Sequence, residues 1–442
     1  MNSLLSLFFC FFILLTSVIQ GYFVAYPLLL SLVILLLTFS FQGFPVKILM
    51  TMGLVSSQKA FPIILILLLI GAVTAVWMAA GTIPALVYYG TQLINRQYFI
   101  LSAFILTSFI SVLLGSSFGT VSTVGVPLMI MVKGEDINPH IVAGAIIAGA
   151  YFGDRCSPMS SSANLVASIT KTKLQKNITA MISTAWLSLI ASTLVYLILS
   201  ISNPVEINNS NFISEIPTLF QINSLVLLPA FAVIVLCLFK VEVKITLLVS
   251  IGIGFVLGIL VQGYSFLQMM KFVLLGFDLE PRMNLSEVLT GGGIFSMLRV
   301  LIVVILSTSL SGLIIGTKTL ATVENFIKKA SSRSRLFLGT TIVGLASAAF
   351  GCTQTLAILM THQLVKEKYQ QQLDNYQLAT DIENTAVVLS PLIPWNIAGL
   401  VPATILMTDS GFIPYAVYLY LIPLFNWVQF KLPESKIQDK FE

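Results

Sequence analysis

The sequence predicts an all-α, polytopic membrane protein with about 11 to 13 transmembrane segments. They are arranged as inverted repeats with interrupted helices and room for re-entrant segments. Three observations carry that expectation. Apolar residues make up 57% of the 442 residues and charged residues 9%, with a mean hydropathy of +0.96; soluble domains are roughly one-quarter charged. Uncharged runs recur over 1–46, 60–95, 98–132, 177–205, 216–239, 245–270, 300–317, 336–365, 384–408 and 410–430, and a spanning helix needs about 20 such residues. Finally, Phe118-Gly119, Thr123 and Asn164 recur 232 residues later as Phe350-Gly351, Thr355 and Asn396, and Ser157-Pro158 recurs 233 residues later as Ser390-Pro391. Hydrophobic helices broken at corresponding places in two halves are the sequence signature of a secondary transporter.

The elements follow in order. Residues 1–59 read as an N-terminal pair of helices and a linker holding Lys47 and Lys59. The first stretch, 1–21, lacks the basic region of a cleaved signal peptide and is read as an uncleaved helix. Residues 60–200 form a first repeat, in which the small-residue run from Ala143 to Gly149 lets helices approach closely. Residues 201–289 connect the repeats with two further crossings and a loop carrying Asp278, Glu280 and Arg282. A second repeat, 290–430, opens on Gly291-Gly292-Gly293, and a charged tail, 431–442, follows.

Loop charges orient these elements. Lys171, Lys173 and Lys176 share one loop, Lys240 and Lys244 another, and Lys318, Lys328, Lys329, Arg333 and Arg335 a third; the excess of Lys and Arg places all three in the cytoplasm. The stretch 203–221 has neither and reads as external. The helix after Asn164 therefore ends inside. Its counterpart after Asn396 ends at Asp409, where no basic residue stands, and the next crossing delivers Lys431, Lys436 and Lys440 to a cytoplasmic C-terminus. Equivalent helices of opposite direction mean inverted repeats. The net charge of +5 is spread over these loops, not patched, which excludes a nucleic-acid surface. Cys10, Cys156, Cys237 and Cys352 lack zinc-ligand spacing and read as small buried residues.

The polar residues inside the apolar runs are the candidate site. In the segment from Gly149 to Asn164, Pro158 removes an amide donor and forces Ser157 out of helical geometry. The carbonyls released there need protein or a water-lined cavity. Asp154, the four serines Ser157, Ser160, Ser161 and Ser162, and Asn164 supply oxygens, which hard cations prefer. The competing reading is a proline kink whose serines bond their own backbone, with Asp154 and Arg155 as an interfacial ion pair. In the partner segment, Pro391 and Pro394 interrupt the helix around Ser390 and Asn396. Glu383 is an intramembrane carboxylate candidate, or else a charge at an exposed helix start; Asp381 reads as solvated. Thr123 and Gln354 line the same cavity on the strength of the repeat. Arg299 reads as a snorkelling residue, and His140 and His362 as loop-edge residues.

On these residues the chain resembles the NhaC-type sodium/proton antiporter family. The resemblance spans about 60–430 and is carried by Trp77 to Tyr89, Gly119 to Gly125, Gly149 to Asn164 and Leu389 to Gly399, above all by Gly149-Ala150-Tyr151-Phe152-Gly153-Asp154 and Ser390-Pro391-Leu392-Ile393-Pro394-Trp395-Asn396. It implies exchange of sodium, protons, organic anions or amino acids by alternating access, without a cofactor. Asp154, Asn164, Gln354, Glu383, Ser390 and Asn396 match the family pattern. Two positions depart from it: Ser161 stands where the family has Asp, and Asn384 stands where the family has a second acid.

The function expected is sodium/proton antiport in the cell membrane. Asp154 and Glu383 are the candidate sodium and proton carboxylates, and Ser157, Ser160, Ser161, Asn164, Thr123, Gln354, Asn384, Ser390 and Asn396 the neutral ligands. Proton coupling requires one carboxyl that exchanges its proton near the working pH. The alternative on the same scaffold is sodium- or proton-coupled exchange of a small organic acid or amino acid, favoured by Ser161, Asn384 and Arg155. A buried cation with fewer acids around it is costly. An enzyme is not expected, because neither a His-Glu-x-x-His zinc motif nor a Gly-x-Ser-x-Gly elbow occurs. The partners expected are the transported ions or solute and the lipid bilayer, and a homo-oligomer is compatible with the chain.

Overall fold

The computed structural model describes residues 3–133, 135, 137–205, 210–278, 290–317, 319 and 332–431. Glu280, Arg282, Lys318, Lys328, Lys329 and the tail beyond 431 lie outside the described residues. Among those described, the chain is helical apart from an isolated bridge between Phe277 and Gly291.

The N-terminal part holds α1 (Ser3–Ile19), α2 (Ala25–Phe41) and α3 (Val46–Gln58). The stretch expected as a linker is thus a helix. Then come α4 (Phe61–Ala79), α5 (Thr82–Leu93), α6 (Phe99–Leu114), α7 (Ser117–Met131), α8 (Pro139–Cys156), α9 (Ser161–Thr170) and α10 (Leu174–Ser202). The connecting section contributes α11 (Ser210–Leu219), α12 (Leu228–Leu238), α13 (Val243–Leu260) and α14 (Phe266–Leu275). The last part holds α15 (Leu298–Gly316), α16 (Arg333–Gly351), α17 (Gln354–Gln372), α18 (Asn375–Leu392), α19 (Ile397–Ile405) and α20 (Val417–Gln429). His362, expected at a loop edge, lies inside α17.

Among the described residues, six helices are long and apolar enough to cross a membrane. The pair α18 and α19, bent by 52°, forms either a broken seventh span or a re-entrant loop, and five apolar helices are shorter. Lipid offers no hydrogen bonds, so helices are the elements that satisfy their own backbone there. The chain is an all-α polytopic membrane protein.

Helix breaks organise the centre. Gly115, at φ 63°, ends α6, and the Ser116 hydroxyl caps α7 by accepting from the Gly119 amide. Cys352, at φ 53°, ends α16, and Thr353 caps α17 by accepting from the Leu356 amide. A second type of break is extended. Ser157 leaves α8 at ψ 138° before Ser160 caps α9, and Ile393 leaves α18 at ψ 114° before Asn396 caps α19. Gly115 to Cys352 is 237 residues and Ser160 to Asn396 is 236. The structural repeat is therefore about one helical turn longer than the offset of 232 read from matching letters. Ser157-Pro158 corresponds to Ile393-Pro394, while Ser390-Pro391 sits in the turn before the break.

The carbonyls that these breaks release find protein partners. Asn396 Nδ2 donates to the Ala348 carbonyl at 2.7 Å, Trp395 Nε1 to that of Ala349 at 2.7 Å, and Ser311 Oγ to that of Gly351 at 2.5 Å. Each is one of the last carbonyls of α16, where intrahelical partners run out, although that of Ala348 also accepts from the Cys352 amide at 3.2 Å.

The two extended-break segments run antiparallel. At one end, where α8 begins, His140 Nδ1 lies 2.8 Å from Thr408 Oγ1 just beyond α19. In the middle, Tyr151 of α8 donates to the Ala398 carbonyl of α19 at 2.6 Å. At the other end α9 packs beside α18, and Lys176 lies over the Tyr376 ring at 5.6 Å. The small-residue run of α8 packs on α6 as expected. A Cβ on Gly149 would lie 2.6 Å from the Phe104 carbonyl oxygen, backbone against backbone.

Candidate functional site

Asp154 sits in the last turn of α8, immediately before the break, and is 4% exposed. Its Oδ1 accepts from Ser160 Oγ at 3.2 Å and its Oδ2 from Gln354 Nε2 at 3.3 Å. Ser117, at the start of α7, lies beside this carboxylate. Ser160 does more than face Asp154. As the α9 cap it accepts from the amides of Ser162 and Ala163 at 3.1 and 3.2 Å, and its hydroxyl lies 2.8 Å from that of Ser162. Ser162 Oγ in turn donates to the Asp154 carbonyl at 3.1 Å. Gln354, first residue of α17, donates both to Asp154 and, at 3.3 Å, to the Val387 carbonyl of α18. The Asp154 carboxylate is thus bonded from both halves of the chain.

Glu383 begins a five-residue π-helical stretch, Glu383–Val387, within α18. A second such stretch, Val121–Gly125, lies within α7. Single wide turns of this kind free backbone groups and recur at functional sites. Glu383 is fully buried, and neither carboxylate oxygen has a hydrogen-bond partner. Arg155 and Asp154 lie within its electrostatic reach. The alternative of an exposed charge at a helix start does not hold, and neither does an interfacial Asp154–Arg155 pair, because both residues are buried.

Arg155 is 0% exposed and held on several sides. Nη2 donates to the Met181 carbonyl at 2.9 Å, to Thr184 Oγ1 at 2.9 Å and to Asn384 Oδ1. Nη1 donates to Tyr418 OH at 3.4 Å and Cys156 Sγ at 3.3 Å. Nε and Asn384 Nδ2 are left without partners. The guanidinium is engaged by the protein instead of being presented to a cavity.

The other expected site residues divide. Thr123 Oγ1 donates to the Gly119 carbonyl at 2.7 Å and Ser390 Oγ to that of Ala386 at 2.6 Å, so both bond their own helices. Ser157 Oγ accepts from the Met159 amide at 3.1 Å, closing the turn between α8 and α9. Asn396 is the buried cap already described. Ser161 and Asn164 lie exposed on α9, where Asn164 Nδ2 bonds the Ser160 carbonyl at 2.7 Å. The structure brings Asp154, Ser160 and Gln354 together, and Asn384 onto Arg155. Ser117 and Thr184 were not singled out in the sequence.

Asp381 corrects the sequence reading. It is 1% exposed and bonded by Arg333 at both oxygens, at 2.5 and 2.8 Å, and by Tyr369 OH at 2.5 Å. Arg333, placed by the sequence in a loop, starts α16 and stacks over the Phe430 ring at 3.9 Å. Two arginine nitrogens facing two carboxylate oxygens make a strong planar pairing.

A helical membrane protein with two antiparallel broken segments around buried carboxylates defines a class, the secondary active transporters. The chain belongs to the Na+/H+ antiporter family, whose model matches residues 149–427. It is 28% identical over 412 residues to the Na+/H+ antiporter NhaC of Bacillus subtilis, covering 90% of each chain. It is 29% identical over 360 residues to the malate-2H+/Na+-lactate antiporter of the same organism, covering 80% of this chain and 77% of that one. To the arginine/ornithine antiporter ArcD of Halobacterium salinarum it is 26% identical over 378 residues, covering 82% of this chain and 76% of that one.

Proposed function

We propose that this antiporter exchanges sodium for protons by alternating access, and that Asp154 and Glu383 are the carboxylates that take the cation. One observation carries the reading most directly: Glu383 is fully buried with both oxygens unpartnered. A buried charge without hydrogen bonds is expensive, and a cation removes that expense. Asp154 supports the reading because its hydroxyl neighbours, Ser160 and Ser117, offer neutral oxygens beside the carboxylate. The residue ranges 60–200 and 290–430 would act as inverted halves, 1–59 and 201–289 as flanking and connecting helices, and 431–442 as a cytoplasmic tail. The Lys171–Lys176 loop would lie inside and the Asp409 turn outside the cell.

The test is direct. In proteoliposomes holding an imposed proton gradient, added sodium should dissipate the gradient, and Asp154→Asn should abolish the effect. A gradient indifferent to sodium with the wild-type protein would overturn the sodium/proton reading.

A second reading, coupled exchange of a small organic acid or amino acid, is favoured by the relatives named for malate, lactate, arginine and ornithine, and by the neutral Asn384. Arg155 does not add to it, since its guanidinium is bonded to Met181, Thr184, Asn384 and Tyr418. Thermal stabilisation by a panel of dicarboxylates and amino acids separates the two readings.

A further inference from the structure

Among the described residues, the charged side chains that are buried are Asp154, Arg155, Asp381 and Glu383. Asp381 is neutralised by Arg333 in a two-pronged ion pair. Three charges remain: two carboxylates and one guanidinium. A guanidinium keeps its proton throughout the accessible pH range, so Arg155 is a permanent positive charge one residue from Asp154 and within electrostatic reach of Glu383. It does not move easily, because its nitrogens are tied to α10, α18 and α20 through Met181, Thr184, Asn384 and Tyr418. Its neighbour Asn384 carries no charge and offers only an amide oxygen.

We propose that Arg155 is a fixed internal cation which limits the Asp154–Glu383 site to one monovalent cation per chain. The inference rests on the sodium reading above and goes further by naming how many ions the site takes. The argument is charge balance in a medium of low dielectric. Uncompensated charge is costly there, and Asp154 and Glu383 together exceed Arg155 by one negative charge. A single sodium ion balances the site, while a second would leave it positive with no carboxylate to meet it. The unpartnered oxygens of Glu383 lie within electrostatic reach of both Arg155 and Asp154, so the demand for an ion is local. Arg155 sets occupancy without touching the ion and is in that sense a positioning residue.

Equilibrium binding of radioactive sodium to purified full-length protein in lipid nanodiscs measures this directly. Wild-type protein should saturate at one sodium per chain with a Hill coefficient of one. Asn384→Asp is nearly isosteric, and it places a new carboxylate on Arg155. It should free Glu383 from Arg155, leave Glu383 and Asp154 each with a cation to bind, and raise saturation to two per chain. Two sodium ions per wild-type chain would overturn the inference while leaving the sodium reading intact. One per chain in Asn384→Asp, with the variant eluting as folded protein, would also overturn it. No sodium binding to wild-type protein would remove the inference and the sodium reading together.

Discussion

The pairing of Arg333 with Asp381 makes a prediction whose size follows from the structure. Asp381 is 1% exposed, and its partners are the two Nη atoms of Arg333 and the Tyr369 hydroxyl, which is itself 3.0 Å from Thr340 Oγ1. Arg333→Met keeps an unbranched apolar stem near the Phe430 ring but leaves the carboxylate with Tyr369 alone. Removing one partner of a buried ion pair typically costs about 3–5 kcal/mol. The Arg333 side chain is 25% exposed, so water reaches this pair in part and the lower end, about 3 kcal/mol, is expected. That is roughly a 100-fold fall in the folded-to-unfolded ratio. Asp381→Asn should cost less, since it leaves a partly solvated guanidinium in place of a dry carboxylate. The double variant should be more stable than the sum of the two losses implies, by about 1–3 kcal/mol, because residues in direct contact do not contribute additively. Unfolding by titration with sodium dodecyl sulfate in mixed micelles, followed by tryptophan fluorescence, measures each loss. Strict additivity, or an unfolding midpoint for Arg333→Met equal to the wild type, would refute the argument that this pair is buried and mutually dependent.

Other consequences are measurable in the same preparations. Gly149→Ala should destabilise the protein by about 1–3 kcal/mol, because the new methyl meets the Phe104 backbone, which cannot give way; the same detergent titration reads it. Ser160→Ala should cost about 1 kcal/mol as a lost helix cap and should also weaken sodium binding, whereas Asn164→Ala should change stability by no more than about 0.5 kcal/mol. An equal loss of sodium binding in both would show that the exposed face of α9 takes part. Cysteines introduced at the exposed positions Lys171 and Asp409, on a background lacking the native cysteines, should react with impermeant maleimide from the cytoplasmic and outer sides respectively; labelling of both from one side would contradict the proposed orientation.

How much was legible in advance depended on the range of the interaction. Membrane class and helicity follow from composition, which is a property of every segment. The proline breaks were legible too, since Pro158, Pro391 and Pro394 act on their own backbone, whereas the break read at Phe118-Gly119 lies at Gly115. Their register was not. Matching letters pair Ser157-Pro158 with Ser390-Pro391, but a break is fixed by the residue that caps the next helix, and the caps are Ser160 and Asn396. Cys352 adopts a left-handed conformation with nothing in its side chain to announce it; Thr353 beside it is the physical cue. Asp381 was misread because its partner lies 48 positions earlier in the chain, and a long-range ion pair leaves no local trace. Thr123 and Ser390 went the way of most hydroxyls in helices, back to their own carbonyls.

The origin of Asp154's neighbours bears on how the proposed exchange would work. Ser117 and Ser160 belong to the same half of the chain as Asp154, while Gln354 belongs to the other and also holds the Val387 carbonyl. Both bonds of Gln354 are 3.3 Å long, at the loose end for such contacts. The Asp154 carboxylate is therefore held from both halves only while the start of α17 and the wide turn of α18 stay against the end of α8. A ligand shifts a conformational equilibrium only by its difference in affinity for the two states. Contacts within one half would be kept in every state and supply no such difference. Of the bonds to Asp154, the one through Gln354 would change if the halves separated, so under the proposed exchange the coupling of binding to movement would run through it and not through the better-formed bond to Ser160.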